Sequence, residues 1–180
     1  MSVLDFGGSL GSTYFHYRNL FDELSIKWHV VEQKHFVERG IETVPEVCFH
    51  YTLDEALNAK DCNTNYVLLL SSVLGYLDRP YEMFEDMLSR DFEYVIIDET
   101  AFFIEEDTPD RIMLQHVPSS IYSAIYPLNL FGLSKFRDFV MKSGYEIFWE
   151  WTYRGGFIPI KEGFHLKDTI DKGFFLRKRK

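Results

Sequence analysis

The residues best suited to chemistry stand at the start of the chain, in Val3-Leu4-Asp5-Phe6-Gly7-Gly8-Ser9-Leu10-Gly11. Val3, Leu4 and Phe6 read as a short buried strand with Asp5 at its C-terminal end. Gly7, Gly8 and Gly11 predict a tight turn into a helix. Glycines there let backbone approach a ligand closely, because no Cβ stands in the way. In an open α/β sheet that edge is where nucleotide-like cofactors bind. The spacing is acid-x-Gly-x-x-x-Gly and does not fit the G-x-G-x-x-G register of dinucleotide sites. A carboxylate two residues before the first glycine would repel a diphosphate. It can instead meet a cationic amino group or organise the loop by hydrogen bonds.

A second acid pairs with this loop. Trp28-His29-Val30-Val31-Glu32 reads as a second strand, and Glu32 lies 21 residues after Gly11. A carboxylate about 20 residues beyond a glycine loop accepts hydrogen bonds from ribose hydroxyls. Methyltransferases and NAD enzymes share that feature, so the glycine register, not Glu32, separates them.

These groups must be positioned by a regular scaffold, and the pattern supplies one. A helix carrying Tyr14, Tyr17, Phe21 and Leu24 follows the loop, with Ser12 and Thr13 offered as caps. A short helix over 35–39 ends at Gly40 as a stop signal. Val47 to His50 reads as a third strand and Leu53 to Ala59 as a helix. Tyr66 to Ser71 reads as a fully buried strand. Pro80 opens a helix with a stripe of Tyr81, Phe84, Met87 and Leu88, and Tyr94 to Asp98 is a fifth strand. Such alternation predicts an α/β fold with a parallel sheet and right-handed crossovers. Residues 101–131 carry Pro109, Pro118 and Pro127, show no clean period and read as an insert, a lid or binding loop. A helix from Ser134 to about Ser143 and two strands, Glu146 to Tyr153 and Gly173 to Arg177, complete the chain.

Composition narrows the function classes. The 180 residues fit one domain, and the 46% hydrophobic and 17% aromatic content is globular. With 19 basic and 28 acidic residues the net charge is −9, which argues against a nucleic-acid partner. No apolar run approaches the ~20 residues of a membrane span, and no signal peptide is visible. Cys48 and Cys62 lack C-x-x-C spacing and suggest reduced thiols in a cytoplasmic protein. The six histidines show no metal-ligand spacing, so no metal is expected.

The loop, the second acid and the alternation resemble the class I S-adenosylmethionine-dependent methyltransferases. The resemblance implies a Rossmann-like, doubly wound, mostly parallel seven-stranded sheet with a terminal antiparallel hairpin, and S-adenosylmethionine as cofactor. Val31-Glu32-Gln33, Ser71-Ser72-Val73-Leu74-Gly75-Tyr76-Leu77, Gln115-His116-Val117-Pro118, Ser123-Ala124-Ile125-Tyr126-Pro127 and Gly144-Tyr145-Glu146 are similar to a family of bacterial methyltransferases named from sequence and generally without an established substrate. Its members carry more chain before the first strand, so this chain reads either as a fragment or as a domain minimal at its N-terminus. Glu99-Thr100-Ala101-Phe102 stands where that family has an Arg-Thr-Pro-Phe run.

The resemblance assigns roles. Asp5, Gly7, Gly8, Ser9 and Gly11 would surround the methionine part of the cofactor, with Ser9 tolerated there if its φ is negative. Glu32 would hold the ribose, Gln33 would flank the adenine, and Tyr51 would stack on it or else belong to the core. Ser71 and Ser72 would lie under the sulfonium. Methyl transfer is an in-line displacement, and an oxygen nucleophile of high pKa needs a base. Asp98, His116 and Tyr126 are the candidates, with Tyr122 and Glu99 near them. The acceptor would be a small molecule or a saccharide, and a homo-oligomer is compatible with the chain. Two alternatives remain open: a non-catalytic cofactor-binding or partner subunit, and an NAD-type oxidoreductase, against which the glycine register and the lack of a Tyr-x-x-x-Lys pair both count.

Overall fold

The computed structural model describes residues 1–20, 24, 26–59, 66–117, 119–120, 123–153 and 168–180. Seven strands form one sheet in the order β3-β2-β1-β4-β5-β9-β8, and a second sheet pairs β6 with β7. The strands are β1 (Ser2–Phe6), β2 (Lys27–Val31), β3 (Cys48–His50), β4 (Tyr66–Ser71), β5 (Tyr94–Phe103), β6 (Arg111–Val117), β7 (Ala124–Leu130), β8 (Tyr145–Tyr153) and β9 (Thr169–Lys178). The helices are α1 (Ser12–Tyr17), α2 (Lys34–Thr43), α3 (Leu53–Asn58), α4 (Pro80–Ser89) and α5 (Leu133–Lys142). The large sheet is mostly parallel, with an antiparallel β8-β9 hairpin at one end. The contacts divide the chain into one unit of Met1–Ser71 with Asp91–Ile96, and another of Ser72–Arg90 with Ile97–Lys180.

In the first unit, β1 pairs in parallel with both β2 and β4, so that Asp5 stands between Val30 and Leu69. Side chains alternate across a sheet. Val3, Trp28, Val30, Phe49 and Leu69 therefore share one face, where they pack with Val37, Val44 and Val47. The opposite face carries His29, whose Nδ1 lies 3.0 Å from His50 Nε2, and Tyr66, whose hydroxyl donates to the Ala56 carbonyl. Gly40 does not stop a helix, because α2 runs on to Thr43. A Cβ at Gly40 would come within 2.5 Å of the Phe49 ring, so this glycine serves packing of helix on strand. The first helix is also shorter than its apolar period predicts. It is capped by the Gly11 backbone, with no side-chain cap from Ser12 or Thr13, and a 3-10 turn over Arg18–Leu20 follows Tyr17. Phe21 lies outside the described residues.

In the second unit, Pro80 occupies the first turn of α4, which buries Phe84, Met87 and Leu88. The described residues of 101–131 have regular structure. They hold the end of β5 and the β6-β7 hairpin, in which Pro127 faces Leu114. Proline is tolerated there because a two-stranded ribbon has open edges. The phenylalanines of this stretch are core. Phe102 meets Phe136 at 5.0 Å and Phe174 at 5.4 Å between ring centroids, and Phe131 and Phe103 are buried. Cys48 is a free, exposed thiol, and Cys62 lies outside the described residues. Among the described residues, no helix is long and apolar enough to cross a membrane and no cluster of His, Cys, Asp or Glu is arranged to hold a metal.

Candidate functional site

The glycine loop is built by left-handed backbone. Gly7, Ser9 and Gly11 have φ of 78°, 52° and 82°. Gly7 N–H donates to the Val31 carbonyl and Gly11 N–H to the Gly8 carbonyl, which ties the turn to β2 and closes it on itself. Ser9 does not have the negative φ its side chain would prefer. An L-residue there costs roughly 1–2 kcal/mol, offset by a hydrogen bond from Ser9 N–H to Glu32 Oε1 at 3.3 Å. Glu32 Oε2 accepts from Gln33 N–H at 2.6 Å. One carboxylate thus couples the loop to the start of α2, where Gln33 is the N-cap residue. Each of its oxygens keeps a further lone pair for a ligand hydroxyl.

Asp5 lies beneath this loop and is only 1% exposed. Trp28 Nε1–H donates to Asp5 Oδ2 at 3.2 Å, and Oδ1 is buried with no hydrogen-bond partner among the described residues. A Cβ at Gly8 would fall 2.5 Å from the Asp5 carboxyl, so glycine is required for the loop to cover it. Burial pushes the Asp5 carboxyl up to about 7; the Trp28 hydrogen bond opposes the rise and the Glu32 charge adds to it. At the neighbouring strand end, Glu32 N–H donates to the His50 carbonyl. Burial holds the His50 imidazole below its ordinary value, against the nearby Glu55 charge. The Tyr51 ring is exposed, not part of the core, and its N–H donates to Glu55 Oε2. Ser71 ends β4.

A second constellation belongs to the second unit. Asp98 Oδ1 accepts from Tyr153 Oη–H at 2.5 Å and from Trp151 Nε1–H at 3.1 Å. Ser72 N–H donates to the Asp98 carbonyl, and Ser72 Oγ–H donates to Glu99 Oε2 at 2.7 Å. Ser72 and Glu99 both have left-handed backbone, with φ of 52° and 46°. Burial, then the Asp98 hydrogen bond, pushes the Tyr153 phenol up to about 12. Burial and the Glu99 charge raise Asp171 above the usual carboxylate range. The Trp151 indole crosses Gly173 so closely that a Cβ there would lie 2.0 Å from the ring. On the hairpin, Tyr126 faces Gln115 and His116 faces Ile125, so the pleat puts Tyr126 and His116 on opposite faces. Tyr126 packs edge-on against Tyr76, whose hydroxyl donates to Gln115. The two therefore do not face one cleft together, and Tyr122 lies outside the described residues.

Three residues of these constellations escape the sequence pattern. Trp28 shares a sheet face with Asp5, which the alternation of β2 could have shown once the register was known. Gly173 inside a strand is a signal for close approach of another group, but nothing in sequence says that the group is Trp151. Tyr153 reaches Asp98 across 55 residues of chain.

No protein-family model matches the chain and no curated protein matches it in sequence. Solved structures do. The N-terminal domain of EvdMO1, solved in the presence of S-adenosylhomocysteine and D-fucose, matches 99% of this chain and 76% of its own, with a TM-score of 0.63 at 13% identity. The Burkholderia thailandensis 1,6-didemethyltoxoflavin-N1-methyltransferase, bound to 1,6-didemethyltoxoflavin and S-adenosylhomocysteine, matches 99% of this chain and 71% of its own, with a TM-score of 0.59 at 13% identity. The glycopeptide N-methyltransferase MtfA, complexed with S-adenosylmethionine, matches 98% of this chain and 86% of its own, with a TM-score of 0.60 at 11% identity. This is the class I methyltransferase fold. Within the methyltransferase fold, the Asp5 loop and Glu32 occupy the ends of β1 and β2. Those are the places at which the sequence predicts cofactor contacts.

Proposed function

We propose that the chain transfers the methyl group of S-adenosylmethionine to a small-molecule or saccharide acceptor. The observation that carries this reading is the coupling of the left-handed loop to Glu32 through Ser9 N–H. Other features fit the same cofactor. Gly8 lets the loop backbone close over the Asp5 carboxyl, whose Oδ1 has no hydrogen-bond partner among the described residues. Two carboxylates flank the loop, which suits an ammonium and ribose hydroxyls and disfavours a diphosphate.

When bound, the cofactor supplies an electrophilic methyl group on a sulfonium. Asp5, Gly7, Gly8, Ser9 and Gly11 enclose its methionine end, with Ser71 and Ser72 toward the sulfur. Glu32 accepts from the ribose, and Gln33 and the exposed Tyr51 ring flank the adenine. In the second unit, Asp98 takes a proton from the acceptor through its second oxygen while Trp151 and Tyr153 fix the first. Tyr126 orients the acceptor. His116, on the other face of the hairpin, has no part in this proposal.

The test is turnover. Purified protein with S-adenosylmethionine and a panel of amines, phenols, sugars and sugar nucleotides should release S-adenosylhomocysteine above the acceptor-free rate with at least one class. Binding of the cofactor without turnover on any class would reduce the reading to a cofactor-binding protein.

A further inference from the structure

The β6-β7 hairpin is apolar on both faces. On its inner face, Met113, Leu128 and Leu130 pack with Ala101 and Phe103, and Tyr126 packs against Tyr76. The outer face has no such cover among the described residues. Ile112, Leu114 and His116 of β6 share it with Ile125 and Pro127 of β7, since Leu114 pairs with Pro127 and His116 with Ile125. Ile112 is 71% exposed, Leu114 60% and Ile125 61%, and Pro127 is exposed as well. An antiparallel pair with one solvated face normally alternates apolar-in and polar-out. This hairpin breaks that rule on both of its strands.

Two properties of the face say what covers it. The first is charge. The chain carries 28 acidic and 19 basic residues and a net charge of −9, yet none of these five side chains is Asp, Glu, Lys or Arg. Copies of a chain with that charge repel one another in solution. An uncharged face is where two of them can meet without burying an unpaired charge. The second property is size. The exposed parts of Ile112, Leu114, Ile125 and Pro127 amount to roughly 400 Å² per copy, the extent of patch that marks an interaction site. Two such patches with their rims reach about 1,200 Å², the low end of specific interfaces, which fits a weak dimer. We propose that this face is the contact between two copies of the chain, packed hairpin on hairpin about a two-fold axis. In such a contact the same residues serve both sides, so Leu114 and Ile125 of one copy meet the same apolar surface on the other. The inference goes beyond the methyl-transfer reading and stands without it.

Sedimentation equilibrium and hydrogen exchange on the full chain test this. The protein should pass from monomer to dimer with a dissociation constant in the micromolar range. Backbone exchange in β6 and β7 should slow as concentration rises. Leu114→Glu and Ile125→Glu each place two carboxylates in the contact, one per copy, and should weaken the dimer by at least about tenfold. Both positions are exposed, so circular dichroism should show the fold intact. Ile41→Glu is the matched control. Ile41 is 59% exposed on α2 in the first unit, and its replacement should leave the dimer as it is. A chain that stays monomeric up to about 0.5 mM, well above the micromolar range, overturns the inference. A dimer that both hairpin variants leave unchanged overturns it too, as does one that Ile41→Glu disrupts as strongly as Leu114→Glu. A dimer whose formation slows exchange elsewhere and leaves β6 and β7 unchanged also places the contact on another surface and refutes the assignment.

Discussion

Replacing Glu32 by glutamine tests the wiring of the loop without removing its shape. The carboxylate accepts two backbone N–H groups, one on each oxygen, from Ser9 at 3.3 Å and Gln33 at 2.6 Å. An amide has one oxygen and one NH2 group. Glutamine can satisfy either donor, but its NH2 must then face the other N–H, donor against donor. The shorter bond, to Gln33, should keep the oxygen, so the Ser9 bond is the one lost. A hydrogen bond to a charged group contributes about 1.5–3 kcal/mol. The Ser9 bond is long, at 3.3 Å, so the loss should sit near the lower end, about 1.5 kcal/mol, or roughly tenfold in affinity. Calorimetry with S-adenosylhomocysteine at fixed pH and salt gives the number, and circular dichroism shows that the fold survives. Glu32→Ala, which also removes the proposed ribose acceptor, should lose at least as much. Wild-type affinity in Glu32→Gln would refute the argument that this carboxylate organises the loop.

Three other outcomes follow from the same geometry. Ser9 sits at φ 52°, so Ser9→Val, with a branched Cβ at positive φ, should lower the melting temperature while Ser9→Gly should not. Gly173→Ala places a Cβ 2.0 Å from the Trp151 ring, so it should destabilise by about 1–3 kcal/mol in chemical denaturation and shift the tryptophan fluorescence as the indole leaves Asp98. The ligand-free protein should also lose stability as pH rises from about 4 through 7. Asp5 titrates at about 7 in the fold against about 3.9 when unfolded, so the native state holds a proton that the unfolded state has released. This slope is worth at most about 4 kcal/mol and should flatten in Asp5→Asn when urea unfolding is followed across that range.

The glycine-loop half of the molecule was legible in the sequence because its signals are local. Asp5 and the three glycines lie within seven residues, and the period of two in β1, β2 and β4 places them at a strand end. The mostly parallel seven-stranded sheet with its terminal antiparallel hairpin followed from β-α alternation and resemblance. What failed was local chemistry overridden by packing. Gly40 reads as a helix stop and is instead a gap for Phe49, and Pro127 reads as a break in the pattern but lies inside β7. The Asp98 constellation was half legible. Asp98 is at a recognisable strand position, but Trp151 and Tyr153 reach it from β8. Pairings between strands so far apart in sequence depend on a register that no local pattern encodes.

Isothermal titration calorimetry of the purified chain against S-adenosylhomocysteine and against NAD, in parallel at pH 8, tests the central claim most directly. The account predicts one-to-one binding of S-adenosylhomocysteine and no measurable heat with NAD, because two carboxylates flank the loop where a diphosphate would lie. Saturable binding of NAD with none of S-adenosylhomocysteine would contradict it.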